Sequence, residues 1–315
     1  MSAETGSAPF ARGSISFRSY PNDELDAVAT IRELRVQAAL AVGNGFDGVM
    51  TSEHHGGFAG YLPNPLQLAG FLLDAMDGGW AASCPLLLPL RPAALVAEET
   101  AWLAARFPGR VGVGVAAGAL PVDFEIAGVA MDGLTQRFAS GLALVARALR
   151  GESEPPLGAD PALMRCREHP VPVLSAAASA TAARRAAANG AGLLFDSLVT
   201  PERVRVLVDA YRAAGGTGPA VLVRRAWLGA PPRAAVERQV DRYASYAPGT
   251  ATTHWGADEM AAGDDPAEVA SALEDATARA GVDALNLRVH VPGVSVDAAR
   301  EQIVRLGSEV VPRLR

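Results

Sequence analysis

The feature that most constrains the fold is a regular alternation of short apolar runs with amphipathic segments along the 315 residues. Eight runs rich in Val, Leu and Ala have the length of buried strands, and helical patterns stand between them. The predicted strands are residues 14–18, 46–52, 81–88, 110–116, 171–176, 192–196, 221–227 and 284–290. The predicted helices are residues 23–42, 65–76, 92–105, 132–149, 179–189, 201–214, 232–243, 266–280 and 296–313. Apolar strands that alternate with helices are typical of a parallel sheet covered by helices.

The number of units points to the architecture. Eight strand–helix units in a chain of this length favour an α/β fold of the (β/α)8 barrel type over an open doubly wound sheet, which is the alternative. No linker interrupts the pattern, so we predict a single domain over residues 1–315. The least regular segments, residues 151–170 and 248–265, are predicted to be long loops.

Composition excludes several classes of function. All 28 basic residues are Arg, so no ε-amine is available for Schiff-base or P-loop chemistry. A formal net charge of -6 argues against nucleic-acid partners and anionic membranes. The most apolar run, residues 81–90, is interrupted by Pro85 and Pro89 and is too short to cross a bilayer. Residues 1–10 lack the basic and apolar stretches of a secretory signal, so we expect a cytoplasmic protein.

Three weak motifs give little information about function. Gly112-x-Gly114 resembles the start of a dinucleotide fingerprint, but the next glycine, Gly118, is one residue too far along. Cys84 and Cys166 are too few for a disulfide framework or a four-thiolate metal site. Neighbouring side chains at a strand end point in opposite directions, so the adjacent histidines at 54 and 55 predict no metal site.

The densest polar cluster in an apolar region is the segment 52–58, Ser-Glu-His-His-Gly-Gly-Phe. It follows the predicted strand 46–52 and therefore lies at the carboxyl end of a barrel, where the active sites of such folds are built. A Glu beside two His can orient and tune an imidazole for proton transfer near neutral pH. The alternative is a polar strand end whose groups only satisfy the loop backbone.

An ordered set of motifs closely resembles the bacterial-luciferase-like family of flavin-dependent oxidoreductases, over nearly the whole chain. The motifs are Gly45-Phe46-Asp47-Gly48-Val49, Glu53-His54-His55, Asn64-Pro65, Leu87-Leu88-Pro89, Pro108-Gly109-Arg110-Val111, Asp123-Phe124 and Val310-Val311-Pro312-Arg313-Leu314. The resemblance implies a (β/α)8 barrel that binds a reduced flavin or a deazaflavin at the carboxyl ends of its strands. It also implies that His54 is the catalytic histidine, supported by Glu53 and His55.

The resemblance implies the reaction as well. We expect a monooxygenase that uses reduced FMN and O2 to oxidise a small organic substrate, with a separate flavin reductase as a possible partner and a homodimer as the assembly. A deazaflavin-dependent hydride-transfer enzyme on the same barrel is the first alternative. A catalytically silent flavin-binding or structural barrel is the second.

The resemblance further implies cofactor contacts. Members hold the flavin ring against a bulge with a cis peptide at the end of the third strand, which corresponds here to Cys84–Pro85. Ser179 and Thr181, at the start of a helix, match a phosphate-binding position, and Arg137 matches a second phosphate ligand. An arginine that the luciferase branch carries after the fourth strand is missing from Val115-Ala116-Ala117-Gly118. Its absence leaves room for a deazaflavin, for weaker binding of a flavin supplied by a separate reductase, or for a member that has lost its cofactor.

Position alone suggests further candidates for lining the site. These are Phe17, Tyr61, His254, Trp255 and His290.

Overall fold

The computed structural model describes residues 7–58, 60–245 and 260–315. Its strands are β1 (Ile15–Arg18), β2 (Gly48–Thr51), β3 (Trp80–Leu87), β4 (Val111–Ala116), β5 (Val173–Ala176), β6 (Gly192–Phe195), β7 (Ala220–Leu228), β8 (Ala261–Gly263) and β9 (Ala284–Arg288). Its helices are α1 (Ala27–Gly43), α2 (Pro65–Leu73), α3 (Ala93–Arg106), α4 (Pro121–Ala127), α5 (Leu134–Ala148), α6 (Pro161–Arg165), α7 (Ala180–Ala188), α8 (Pro201–Ala213), α9 (Arg233–Ala244), α10 (Pro266–Ala280) and α11 (Val296–Arg305).

The parallel sheet closes on itself, which confirms the predicted barrel over the open sheet. Strands β1 to β7 pair in sequence order, and β9 lies between β7 and β1. The closing register sets Ile15 of β1 opposite Leu285 of β9 and Val221 of β7 opposite Ala284. The carboxyl ends of all eight barrel strands therefore meet at one face.

Helix starts follow local capping chemistry. Asp26 accepts a hydrogen bond from the backbone N–H of Ala29, so α1 begins at Ala27 and not at residue 23. Ser179, Thr200 and Ser295 cap α7, α8 and α11 in the same way. In the last predicted helix, the α-helical part ends at Arg305. The chain then forms a π-helical turn and a 3-10 turn that reach Leu314. Among the described segments, no helix has the length and apolar character needed to cross a membrane.

Both predicted loops contain short elements. In the segment 151–170, Asp160 accepts from the N–H groups of Ala162 and Leu163 at 2.8 and 3.0 Å and starts α6, which buries Leu163. In the segment 248–265, the short strand β8 pairs with residues 226–228 at the end of β7. Residues 248–259 of that segment, with His254 and Trp255, lie outside the described residues.

Aromatic rings close the barrel interior at its amino end, and they fit there because glycines on the neighbouring strands have no side chain. Phe10 packs edge-on against Trp80, with ring centroids 5.2 Å apart. A Cβ atom on Gly112 would lie 2.6 Å from the Phe10 ring, and one on Gly114 would lie 2.1 Å from Cys84 Sγ. The Val-Gly alternation of β4 is therefore a packing requirement of the interior and not part of a nucleotide-binding motif.

The same packing predicts a stability difference between two glycines. A Cβ on Gly48 would lie 2.2 Å from the Trp80 ring and 2.5 Å from its carbonyl oxygen, whereas one on Gly43 at the end of α1 meets nothing within 4 Å. We expect Gly48→Ala to lower the free energy of unfolding by about 1–3 kcal/mol, because overpacking forces the interior to shift. Gly43→Ala should change it by less than about 0.5 kcal/mol. Urea denaturation of both variants checks this, and equal midpoints would contradict the assigned packing.

Candidate active site

The polar segment that follows β2 lies at the carboxyl face of the barrel, as predicted. Thr51, the last residue of β2, donates its hydroxyl to the carbonyl oxygen of Pro65 at 3.1 Å. Asn64 caps α2 by accepting from the N–H of Gln67 at 3.0 Å. The turn between these anchors carries Glu53, His54 and His55 beside the ends of β2 and β3.

Glu53 is fully buried and ties this turn to the end of β3. One carboxylate oxygen accepts from Nε2 of His55 at 2.9 Å and from the guanidinium of Arg91. The other accepts from the backbone N–H of Leu87 at 2.7 Å, and the N–H of Glu53 donates to the Pro85 carbonyl at 3.2 Å. A buried carboxylate with this many donors has its hydrogen-bonding capacity used and orients its neighbours.

His54 is paired with a second buried carboxylate. Its Nδ1 lies 2.8 Å from Oδ2 of Asp123, and the other oxygen of Asp123 accepts from the backbone N–H of His55, also at 2.8 Å. The His54 side chain keeps 20% of its surface exposed, whereas that of Asp123 is fully buried. The carboxylate therefore fixes the orientation of an imidazole that a ligand can reach.

The two histidines diverge, as adjacent side chains at a strand end should. His54 pairs with Asp123 on α4, and His55 pairs with Glu53 on its own turn. In the described ranges, no group of three or more His, Cys, Asp or Glu side chains could hold a metal ion.

The end of β3 forms the bulge that the resemblance implied. The register between β3 and β4 shifts between Ser83 and Leu86, and the Cys84–Pro85 peptide bond is cis. Nη1 of the buried Arg18 donates to the Cys84 carbonyl at 2.6 Å. The Cys84 thiol packs inside the barrel against Gly114, and burial raises its pKa to about 12. The Cys84 side chain is therefore part of the barrel interior.

The start of α7 has unused hydrogen-bond donors. Ser179 caps the helix by accepting from the N–H of Ala182 at 3.2 Å, while the N–H groups of Ala180 and Thr181 have no acceptor within the described residues. Arg203 of α8 reaches this turn, where its Nη2 donates to the Ala178 carbonyl at 3.4 Å and its Nε bonds to no described atom. A helix start with a nearby guanidinium is chemically suited to a phosphate group.

The Arg137 guanidinium forms its hydrogen bonds away from the start of α7. It donates to the carbonyl oxygens of Ala130 and Asp132 in the loop that precedes α5. No hydrogen bond joins Arg137 to Ser179 or Thr181. Its role as a phosphate ligand stays a prediction.

Tyrosines and an arginine fill the mouth of the barrel. Nη2 of Arg288 donates to the Tyr243 hydroxyl at 3.0 Å, and that hydroxyl lies 3.0 Å from the hydroxyl of Tyr61. The Tyr61 ring contacts His54 at 4.5 Å and Tyr20 at 5.0 Å between centroids. Burial by itself raises the pKa of Tyr20, but Arg288 and Arg18 outweigh it and lower this pKa to about 8.

Of the residues suggested by position, Tyr61 and His290 lie in this region and Phe17 does not. Phe17 points out of the barrel and packs edge-on against Phe46 at 5.9 Å, in the core between strands and helices. On a strand, successive side chains point to opposite faces, so Arg18 occupies the interior position beside it.

Comparisons with known proteins identify the family. The family sequence model of luciferase-like monooxygenases matches residues 13–306, so the chain belongs to the luciferase-like monooxygenase family. It is an enzyme of this class. No curated protein matches the sequence.

Solved structures with similar folds include enzymes that use either type of cofactor. Monooxygenase RslO1 from Streptomyces bottropensis has 22% sequence identity and a TM-score of 0.79, over 96% of this chain and 100% of that one. The oxygenating constituent of 3,6-diketocamphane monooxygenase from Pseudomonas putida, solved with FMN, has 15% identity and a TM-score of 0.74, over 96% and 99%. An F420-dependent secondary alcohol dehydrogenase has 18% identity and a TM-score of 0.73, also over 96% and 99%.

Several residues of the site could not be assigned from sequence. Asp123 belonged to a recognised motif, but nothing in its spacing showed that it contacts His54, 69 positions away. Arg18, Arg203 and Arg288 occur in a chain whose 28 basic residues are all arginines, so no arginine is conspicuous. Burial separates Arg18 and Arg288, together with Arg224 and Arg225, from the other arginines, and burial is a result of the fold.

Proposed function

We propose that this enzyme is a flavin-dependent monooxygenase that uses reduced FMN and O2 to oxidise a small organic substrate. The observation that carries the proposal is the contact between His54 and the buried carboxylate of Asp123, at the carboxyl face of the barrel. When bound, a reduced flavin supplies the electrons that activate O2 for transfer of one oxygen atom.

The protein supplies a positioned proton carrier. The Asp123 carboxylate favours the tautomer in which Nδ1 of His54 carries the proton, which leaves the Nε2 lone pair available. Nε2 can then take a proton from the reacting group and return it later in the cycle. The rings of Phe58 and Tyr61, at 4.8 and 4.5 Å from the His54 ring, restrict water around it.

The residues present fit a flavin phosphate and a ring support. Ser179, Thr181 and Arg203 would hold the phosphate, because the first N–H groups of α7 and Nε of Arg203 have no acceptor in the described chain. The bulge at Cys84–Pro85, braced by Arg18, would support the ring through its backbone. Reduced FMN would come from a separate flavin reductase, and the homodimer stays a prediction.

Deazaflavin-dependent hydride transfer is the second candidate. The observation that favours it is the absence of an arginine directly after β4, where the residues are Ala117, Gly118, Ala119 and Leu120. The dyad of His54 and Asp123 serves equally well there, since hydride transfer to or from an alcohol also needs a proton carrier. One titration with both cofactors separates these two candidates.

The test is a fluorescence titration of the full-length protein with FMN, reduced FMN, riboflavin and a deazaflavin. We expect reduced FMN to bind, and Arg203→Met to weaken that binding by about 10–100-fold, the cost of losing a charge-assisted hydrogen bond. Riboflavin lacks the phosphate, so the same variant should leave its affinity unchanged.

Arg106→Met is a matched control, because this arginine of α3 has an exposed side chain whose contacts within the described residues are with Asp74 and the Phe107 ring. Binding of the deazaflavin alone would replace the first proposal by the second. Binding of none of these compounds would overturn both.

A further inference from the structure

A buried arginine at the mouth of the barrel has no anionic partner. Arg288 is only 4% exposed. Its Nε donates to the His290 carbonyl at 3.1 Å, its Nη2 donates to Tyr243, and its guanidinium lies 4.3 Å above the Tyr20 ring. Across residues 7–58, 60–245 and 260–315, no carboxylate forms an ion pair with Arg288, and its Nη1 donates no hydrogen bond. One donor of a buried cation is therefore unused.

The neighbouring imidazole is also unused. His290 is 2% exposed, and neither of its ring nitrogens has a hydrogen-bond partner in the described structure. Burial, together with Arg288 and Arg225, lowers the pKa of His290 to about 3. The imidazole is therefore neutral at neutral pH and keeps one N–H donor.

The two groups face the same ring. Arg288 lies on Tyr20, and the His290 ring lies 6.3 Å from it between centroids. Arg18, 2% exposed and likewise without a carboxylate partner in the described ranges, adds a second buried positive charge nearby. Buried cations and imidazoles are normally paired, because an unpaired one has lost its water without compensation. Where such groups persist, they mark functional sites.

We propose that Arg288 and His290 form a subsite that binds the anionic oxygen of an aromatic substrate, either a carboxylate or a phenolate. An anionic oxygen would accept from Nη1 of Arg288 and from the imidazole N–H, and would neutralise the buried charge. Tyr20 and Tyr61 provide aromatic surfaces next to these donors, which favours a planar ring.

The location relates this subsite to the reaction. The guanidinium of Arg288 lies on the Tyr20 ring, and the Tyr61 ring contacts both Tyr20 and His54, so two aromatic rings in contact connect the subsite with the proton carrier. The subsite would select acidic aromatic compounds for the proposed oxidation. The assignment as a substrate subsite rests on the proposed function, whereas anion binding itself requires no flavin.

The test is calorimetric titration of the full-length protein with benzoate, 4-nitrophenolate and the neutral analogue benzamide, before and after loading with FMN. We expect at least one anion to bind and benzamide to bind at least tenfold more weakly. Arg288→Met should weaken anion binding by about 10–100-fold, the range for a hydrogen bond to a charged group. Benzamide binding should not change. Arg106→Met, which removes one exposed positive charge, should leave all affinities unchanged.

A second variant keeps the test independent of how Arg288→Met folds. His290→Phe preserves an aromatic ring and removes only nitrogens that bond to no described atom, so we expect its melting temperature to stay close to that of the parent. Its affinity for the anion should fall by about tenfold. Benzoate and 4-nitrophenolate distinguish the two anion classes, since the subsite should prefer the one whose oxygen geometry matches its two donors.

The outcomes separate the two proposals. If benzamide binds as tightly as both anions, or if both variants retain anion affinity, the subsite is wrong even when FMN binds. If anions bind through Arg288 and His290 while no flavin binds, the subsite stands and the proposed monooxygenase function falls.

Discussion

Replacing His54 by alanine is expected to lower turnover by about 100- to 10,000-fold, the usual contribution of a general acid–base group. The reason is that His54 is the one imidazole in the described chain that is both held by a buried carboxylate on another element and still partly exposed. Flavin affinity should stay within about twofold, because the predicted phosphate contacts are on α7 and α8. Stopped-flow oxidation of the bound reduced flavin, with substrate present, measures the first quantity and fluorescence titration the second.

Two further variants define the role of the dyad. Asp123→Asn should lower turnover by about 10–100-fold, because an amide no longer selects the tautomer with the proton on Nδ1. His169→Ala is the matched control, since this histidine is exposed and its backbone N–H donates to the Arg165 carbonyl, a bond that the substitution keeps. Full turnover in His54→Ala would rule out the proposed proton carrier. Loss of activity in His169→Ala as well would point to a general effect of the substitutions on folding.

The second large effect is on stability. Glu53→Ala is expected to lower the free energy of unfolding by about 3–5 kcal/mol, because breaking a buried ion pair leaves the partner groups uncompensated. The substitution removes the acceptor for His55, Arg91 and the N–H of Leu87 together. Urea unfolding followed by circular dichroism measures the loss.

A double-mutant cycle assigns this loss to the ion pair. The loss in Glu53→Ala/Arg91→Ala should be smaller than the sum of the single losses, since the two side chains share one contact. Glu99→Ala is the control, because Glu99 is exposed on α3, and it should change stability by less than about 0.5 kcal/mol. A loss below about 1 kcal/mol in Glu53→Ala, typical of an exposed pair, would show that Glu53 does not join β2 to β3.

Glu53 and His54 therefore have different tasks in one short motif. Glu53 is buried and fully bonded, and it fixes the turn against β3. His54 is held at one nitrogen only and remains partly exposed. The two predicted effects are therefore separable. His54→Ala should lower turnover with little change in stability, whereas Glu53→Ala should mainly lower the free energy of unfolding.

Much of the fold follows from patterns that are local in sequence. Strand and helix periodicity, Pro at helix starts and Ser, Thr or Asp caps each depend on a few consecutive residues. The counting of eight strand–helix units then leaves few topologies other than the barrel. Elements that depend on distant partners were less predictable: β8 exists because it pairs with the end of β7 more than 30 residues earlier.

By itself, the sequence determined the barrel and the position of Glu53-His54-His55 at its carboxyl face, because periodicity and strand ends are local properties. The bulge at Cys84–Pro85 was expected only from the family resemblance. Only the tertiary structure decided which carboxylate serves which histidine and which of 28 arginines are buried. It also decided that the ring nitrogens of His290 have no partner in the described chain and that the hydrogen bonds of Arg288 there use Nε and Nη2. Those facts depend on contacts between distant segments, such as the contact between Arg18 and Asn286, which are 268 positions apart. Burial and pairing also set the energy of a charge, so its chemical role becomes readable only once the chain is folded.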